Sequence, residues 1–112
     1  MIVLISRDLM AGSAIEGPAR SAGMAVRIVS PDNAPDPAAK LYAIDLSTPA
    51  GDLAALVAAL RTASPEAAVV AYAPHVHEAK LEAARAAGCD EVLTRGQFYR
   101  SLGDIVTRHA NR

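Results

Sequence analysis

Short apolar runs alternate with longer runs of helical periodicity from one end of the chain to the other, and this alternation constrains the fold more than any other feature. Strands separated by crossover helices build a parallel sheet covered on both faces. Ile2 to Ser6 opens the series as a continuously apolar strand, as a doubly covered sheet requires. Asp8 is placed to cap the next helix, whose Met10, Ala11, Ala14, Ile15, Ala19 and Ala22 share a stripe ending at Gly23. Pro18 lies inside that stripe and has no N–H for the carbonyl of Ala14, so a kink or break is expected between Ala14 and Pro18.

Ala25 to Val29 reads as the second strand. Pro31, Pro35 and Pro37, interspersed with Asp32, Asn33 and Asp36, then carry turn chemistry and leave no room for a full crossover helix. A single helical turn or an irregular loop is expected there, with one sheet face thinly covered. Lys40 to Asp45 is a central buried strand that breaks into a turn at Ser47-Thr48-Pro49. Asp52 caps a helix with the stripe Leu53, Leu56, Val57 and Leu60, closed by Ser64-Pro65. Ala67 to Ala73 is a fourth strand, Val76 to Ala87 a helix ended by Gly88, and Glu91 to Thr94 a short fifth strand. Phe98, Leu102, Ile105, Val106 and His109 mark the last helix. The pattern predicts one flavodoxin-like doubly wound α/β domain over residues 1–112, strand order 2-1-3-4-5, with the helix between strands two and three shortened or lost.

Composition excludes several functions. With 11 basic and 12 acidic side chains, a net charge of -1 and no lysine or arginine run, the chain has no electrostatic footprint for a nucleic-acid backbone. Met1 to Ile5 is far too short for a signal h-region or a membrane span, so a cytoplasmic protein without membrane contact is expected. Cys89 is the only cysteine, which rules out an internal disulfide, and its place after a helix end suits a small buried thiol. Neither a Gly-x-Gly-x-x-Gly turn, a Gly-Lys-Ser/Thr loop nor a Gly-x-Ser-x-Gly elbow is present, and no cofactor is expected.

In an open parallel sheet, ligands collect outside the carboxyl ends of the strands, which is where Asp45 stands. The run Ile44-Asp45-Leu46-Ser47-Thr48-Pro49-Ala50-Gly51-Asp52-Leu53, together with Ala86-Ala87-Gly88-Cys89-Asp90-Glu91-Val92-Leu93-Thr94-Arg95, resembles the receiver domain of two-component response regulators. The resemblance covers essentially the whole chain. It implies that Asp45 occupies the phosphoacceptor position and that Ser6, Arg7, Asp8, Ser47, Ala73 and Arg95 line the receiver cleft. The family's acidic pair falls on Ser6 and Arg7, its hydroxyl on Ala73, its lysine on Arg95, and its switch aromatic on Val92. Those departures remove the carboxylates that hold Mg²⁺. Arg7 or Arg95 is expected to replace the ion by pairing directly with Asp45.

The expected function is therefore a non-enzymatic, stand-alone, receiver-like interaction module that binds a protein partner without the usual Mg²⁺-dependent phosphorylation. Its docking or homodimer face would be the fourth helix, fifth strand and fifth helix, with Phe98, Tyr99, Leu102 and Val106 exposed. An atypical receiver still phosphorylated on Asp45 is the first alternative. A small-ligand or metal site in the same cleft is the second, for which His75-Val76-His77 offers two imidazoles that still need a third ligand.

Overall fold

A computed structural model describes residues 1–110 of the chain. The elements are β1 (Ile2–Ile5), α1 (Leu9–Ser21), β2 (Val26–Val29), a 3₁₀ turn (Pro31–Asn33), β3 (Leu41–Asp45), α2 (Leu53–Ala63), β4 (Ala68–Ala73), α3 (Glu78–Ala86), β5 (Glu91–Thr94) and α4 (Arg95–Ala110). The five strands form one parallel sheet in the order β2-β1-β3-β4-β5, the flavodoxin-like arrangement that the alternation implies.

Period-two alternation divides the core. Val3, Ile5, Tyr42, Ile44, Val69 and Ala71 pack with Leu56, Val57 and Leu60 of α2 and Leu81 and Ala84 of α3. On the other face Ile2, Leu4, Leu41, Ala43, Val70 and Tyr72 pack with Ala11, Ile15 and Ala19 of α1 and Phe98, Leu102, Ile105 and Val106 of α4. Every residue of β1, β3 and β4 is buried, whereas the edge strand β2 is only partly covered.

Asp8 caps α1 by accepting the Met10 amide, and Asp52 caps α2 by accepting that of Ala55. Helix α1 departs from the expected break: it runs through Pro18 without interruption. Ala11 and Ile15 before the proline and Ala19 after it are all buried in one sheet face, and that packing keeps both halves in one helix despite the missing donor.

No crossover helix joins β2 to β3. The 3₁₀ turn and the following loop take its place, burying Ala34 and Ala39 over the sheet. Tyr42, fully buried on β3, fastens this loop: its hydroxyl accepts the Asp36 amide at 3.0 Å, donates to the Asp36 carbonyl at 3.0 Å, and meets Ser64 Oγ at 2.9 Å. The same loop is tied to the edge strand by Arg27 Nη1 and Asp36 Oδ2, 2.6 Å apart. The Ala38 amide first, and Arg27 second, hold the Asp36 carboxyl below its ordinary value of 3.8.

Tyr42→Phe leaves the part-buried Asp36 amide without this acceptor, and we expect a loss of about 1 kcal/mol in urea unfolding; an unchanged midpoint would show that the loop does not depend on this hydroxyl. Because the folded pKa of Asp36 is depressed, its contribution is present above the unfolded value and is lost as pH falls through the folded one. The melting temperature of Asp36→Asn should accordingly lie below wild type near neutral pH, with the gap closing below about pH 4. A gap independent of pH would contradict this assignment.

Candidate functional site

Parallel register brings the ends of three strands to one edge. Ser6 follows β1, Asp45 ends β3, and Tyr72 stands opposite Asp45 on β4. Asp45 and Ser6 are only 7% and 5% exposed. A buried carboxylate must be hydrogen-bonded, and Asp45 is served on both oxygens. Ser6 Oγ donates to Oδ2 at 2.7 Å, and the Ser47 amide donates to Oδ1 at 2.9 Å. Ser6 Oγ in turn accepts the Asp8 amide at 3.0 Å. Hydrogen bonds to a charged acceptor contribute about 1.5–3 kcal/mol each, so this geometry resists rearrangement.

Asp8 is also fully engaged. Its Oδ1 accepts the Met10 amide at 2.9 Å, and its Oδ2 accepts Arg95 Nη2 at 2.8 Å. The Arg95 guanidinium lies 5.8 Å from the centroid of the Tyr99 ring. Thr48, buried beside Asp45, accepts the Arg7 amide at 3.1 Å and ties the loop after β3 to the loop after β1.

The structure thus corrects one expectation, the direct pairing of Arg7 or Arg95 with Asp45. Among the described residues no ion pair joins Asp45 to any cation. A hydroxyl and an amide meet its needs, Arg95 is drawn to the more exposed Asp8, and Arg7 lines the cleft mouth with its side chain exposed. Arg7, Asp8, Ser47 and Asp45 do line one open groove. Ala73 does not reach it, being fully buried in the opposite core with α2 and α3. The expected docking residues also need correction, since Phe98, Leu102 and Val106 are all buried against the sheet and only Tyr99 is partly exposed. The helical stripe is the inward face of α4. The large apolar side chains that are exposed include Leu9 at 86%, Met10 at 73% and Val76 at 69%.

Neither metal arrangement finds a suitable donor set. Mg²⁺ takes oxygen ligands in near-ideal octahedral geometry. Here both Asp45 oxygens already accept, Asp8 is held by a guanidinium, and Arg7 adds positive charge at the mouth. His75 is exposed and His77 half-buried, and the described residues contain no group of three His, Cys, Asp or Glu able to hold an ion. Cys89 is partly buried, and burial pushes its thiol up, away from the reactive thiolate.

Tyr72 stands at the same edge, opposite Asp45. Its ring stacks on Phe98, with centroids 4.0 Å apart and planes at 8°, and meets Tyr99 edge-on. Its hydroxyl is buried without a hydrogen-bond partner among the described residues. Burial and then the charge of Asp45 push the phenol above its ordinary value, so it stays protonated. Counting by twos along β4 would have found it, because Ala68, Val70 and Tyr72 share a face with Leu41 and Ala43. The Thr94-x-x-Gln97 capping box opening α4 was legible in the same way.

No family model and no curated protein matches the sequence. Solved structures do. A CheY-like protein, TadZ, from Pseudomonas aeruginosa is 22% identical with a TM-score of 0.70, covering 99% of this chain and 93% of that one. The receiver domain of a sensor histidine kinase from the same organism, which carries a magnesium ion in its cleft, is 18% identical with a TM-score of 0.71, covering 99% and 97%. The activated DrrB receiver domain gives 16% identity and a TM-score of 0.78, covering 99% and 97%. This chain therefore has the fold of the CheY-like receiver domains from end to end.

Proposed function

We propose that this chain is a non-enzymatic, receiver-like module of two-component signalling that works by binding a protein partner and does not use Mg²⁺-dependent phosphorylation. The observation that carries the reading is the closed hydrogen-bonding of Asp45, whose two oxygens are held by Ser6 and Ser47. Phosphoryl transfer is catalysed almost entirely by positioning and by neutralising the developing charge. Asp45 matches the acceptor position, but the family's acidic pair falls on Ser6 and Arg7, the neighbouring Asp8 is paired with Arg95, and Ala73 stands at the hydroxyl position. The cleft of this chain offers a fixed shape instead of a switch.

A protein partner fits the exposed apolar groups around the cleft. Leu9 and Met10 begin α1 beside the groove that Asp45 lines, and Val76 sits in the loop after β4. Exposed apolar groups near a cleft of this kind are the material of a docking surface. No described helix is long and apolar enough to cross a membrane.

Incubation with a small phosphodonor and Mg²⁺, followed by intact mass and amide spectra, tests the reading. We expect no phosphoryl adduct and no Mg²⁺-dependent shift at Ser6, Asp45 or Ser47. A stoichiometric, hydroxylamine-labile adduct on Asp45 would overturn it in favour of an atypical phosphorylated receiver.

A further inference from the structure

A second groove, of about 540 Å³, opens between the loop after β4 and the start of α4, lined by Pro74, His75, Thr94, Arg95, Tyr99 and Arg100, with Gly96 at its edge. It shares no lining residue with the groove beside Asp45. Two guanidinium groups and an imidazole therefore face one cavity of the size that small ligands occupy.

Charge in this groove is poorly balanced. Arg95 is anchored on one side by Asp8 and lies over Tyr99, which fixes its direction. Arg100 has no carboxylate within ion-pair distance among the described residues. Its Nη1 folds back over Gly96, 3.6 Å from where a Cβ on that residue would lie. Helix α4 has no acid in its first turn to offset these cations. Apart from Asp8, Glu78 and Glu82 line an adjoining groove with His75, where Glu82 is paired with Arg85, and Asp45 acts on Arg95 from the cleft side. The capping box engages the amides of Thr94 and Gln97 and leaves the Gly96 amide uncovered by any side chain of its own.

We propose that this groove is a site for a small phosphate-bearing anion, held by Arg100, Arg95 and His75. Guanidinium forks match the oxygens of phosphate, and the absent Cβ of Gly96 lets such an oxygen approach the backbone. A phosphate dianion also offsets two cations at once, which a single carboxylate does not. The proposal is independent of the reading of the Asp45 cleft, because the anion is bound and not transferred.

Titration of the whole chain with inorganic phosphate, followed by amide and arginine side-chain spectra against sodium chloride at matched ionic strength, is the test. We expect saturable shifts confined to His75, Arg95, Gly96, Gln97 and Arg100. Arg100→Gln should weaken phosphate about tenfold, the loss of one charge-assisted hydrogen bond. Gly96→Ala, which suits a helix, should keep the fold and also weaken binding. Shifts that fail to saturate, that chloride reproduces, or that persist with the same affinity in a folded Arg100→Gln would overturn the proposal.

Discussion

A carboxylate buried at the carboxyl edge of a parallel sheet has to be supplied with donors, and how Asp45 is supplied decides what the cleft can do. Ser6 and the Ser47 amide take one oxygen each, and Ser6 passes the connection on to the backbone of Asp8. In one step this chain ties the end of β1, the end of β3 and the start of α1 together. A divalent ion would share the Asp45 oxygens with these donors, compete with Arg95 for Asp8 and sit near Arg7. The loss of carboxylates and the gain of guanidinium groups thus act in the same direction.

The rest of the fold presents this edge. β1, β3 and β4 are buried on both faces, so their register is set by two separate cores and their ends cannot slip relative to one another. Where a crossover helix is missing, Tyr42, Ser64 and Asp36 hold a proline-rich loop over the sheet. Phe98 and Tyr72 stack in the core on the face shared with α1 and α4. Tyr72 contributes a buried hydroxyl near Asp45 that burial and then the Asp45 charge keep protonated.

Much of this was legible in the residues. Alternation is a local signal repeated along the whole chain, so strand order, the short link after β2 and the place of Asp45 at a strand end could all be read from it. What failed were questions of direction. A stripe such as Phe98, Leu102 and Val106 shows that α4 has an apolar face, but the same spacing serves an inward face or a docking face, and here it is inward. Pro18 lacks a donor in any context, yet tertiary contacts on both sides keep α1 whole. Partner choice was equally hidden: Arg95 lies 87 residues from Asp8 in sequence, and only the folded edge shows that it prefers this acid to Asp45.

The central claim is that Ser6, and no metal ion, holds Asp45. A high-resolution crystal structure grown in Mg²⁺ and fluoroberyllate tests it most directly. The account predicts Ser6 Oγ within hydrogen-bond distance of Asp45 Oδ2, with neither magnesium nor beryllium on the carboxylate. A fluoroberyllate group on Asp45, or magnesium seated against it with Ser6 turned away, would contradict it.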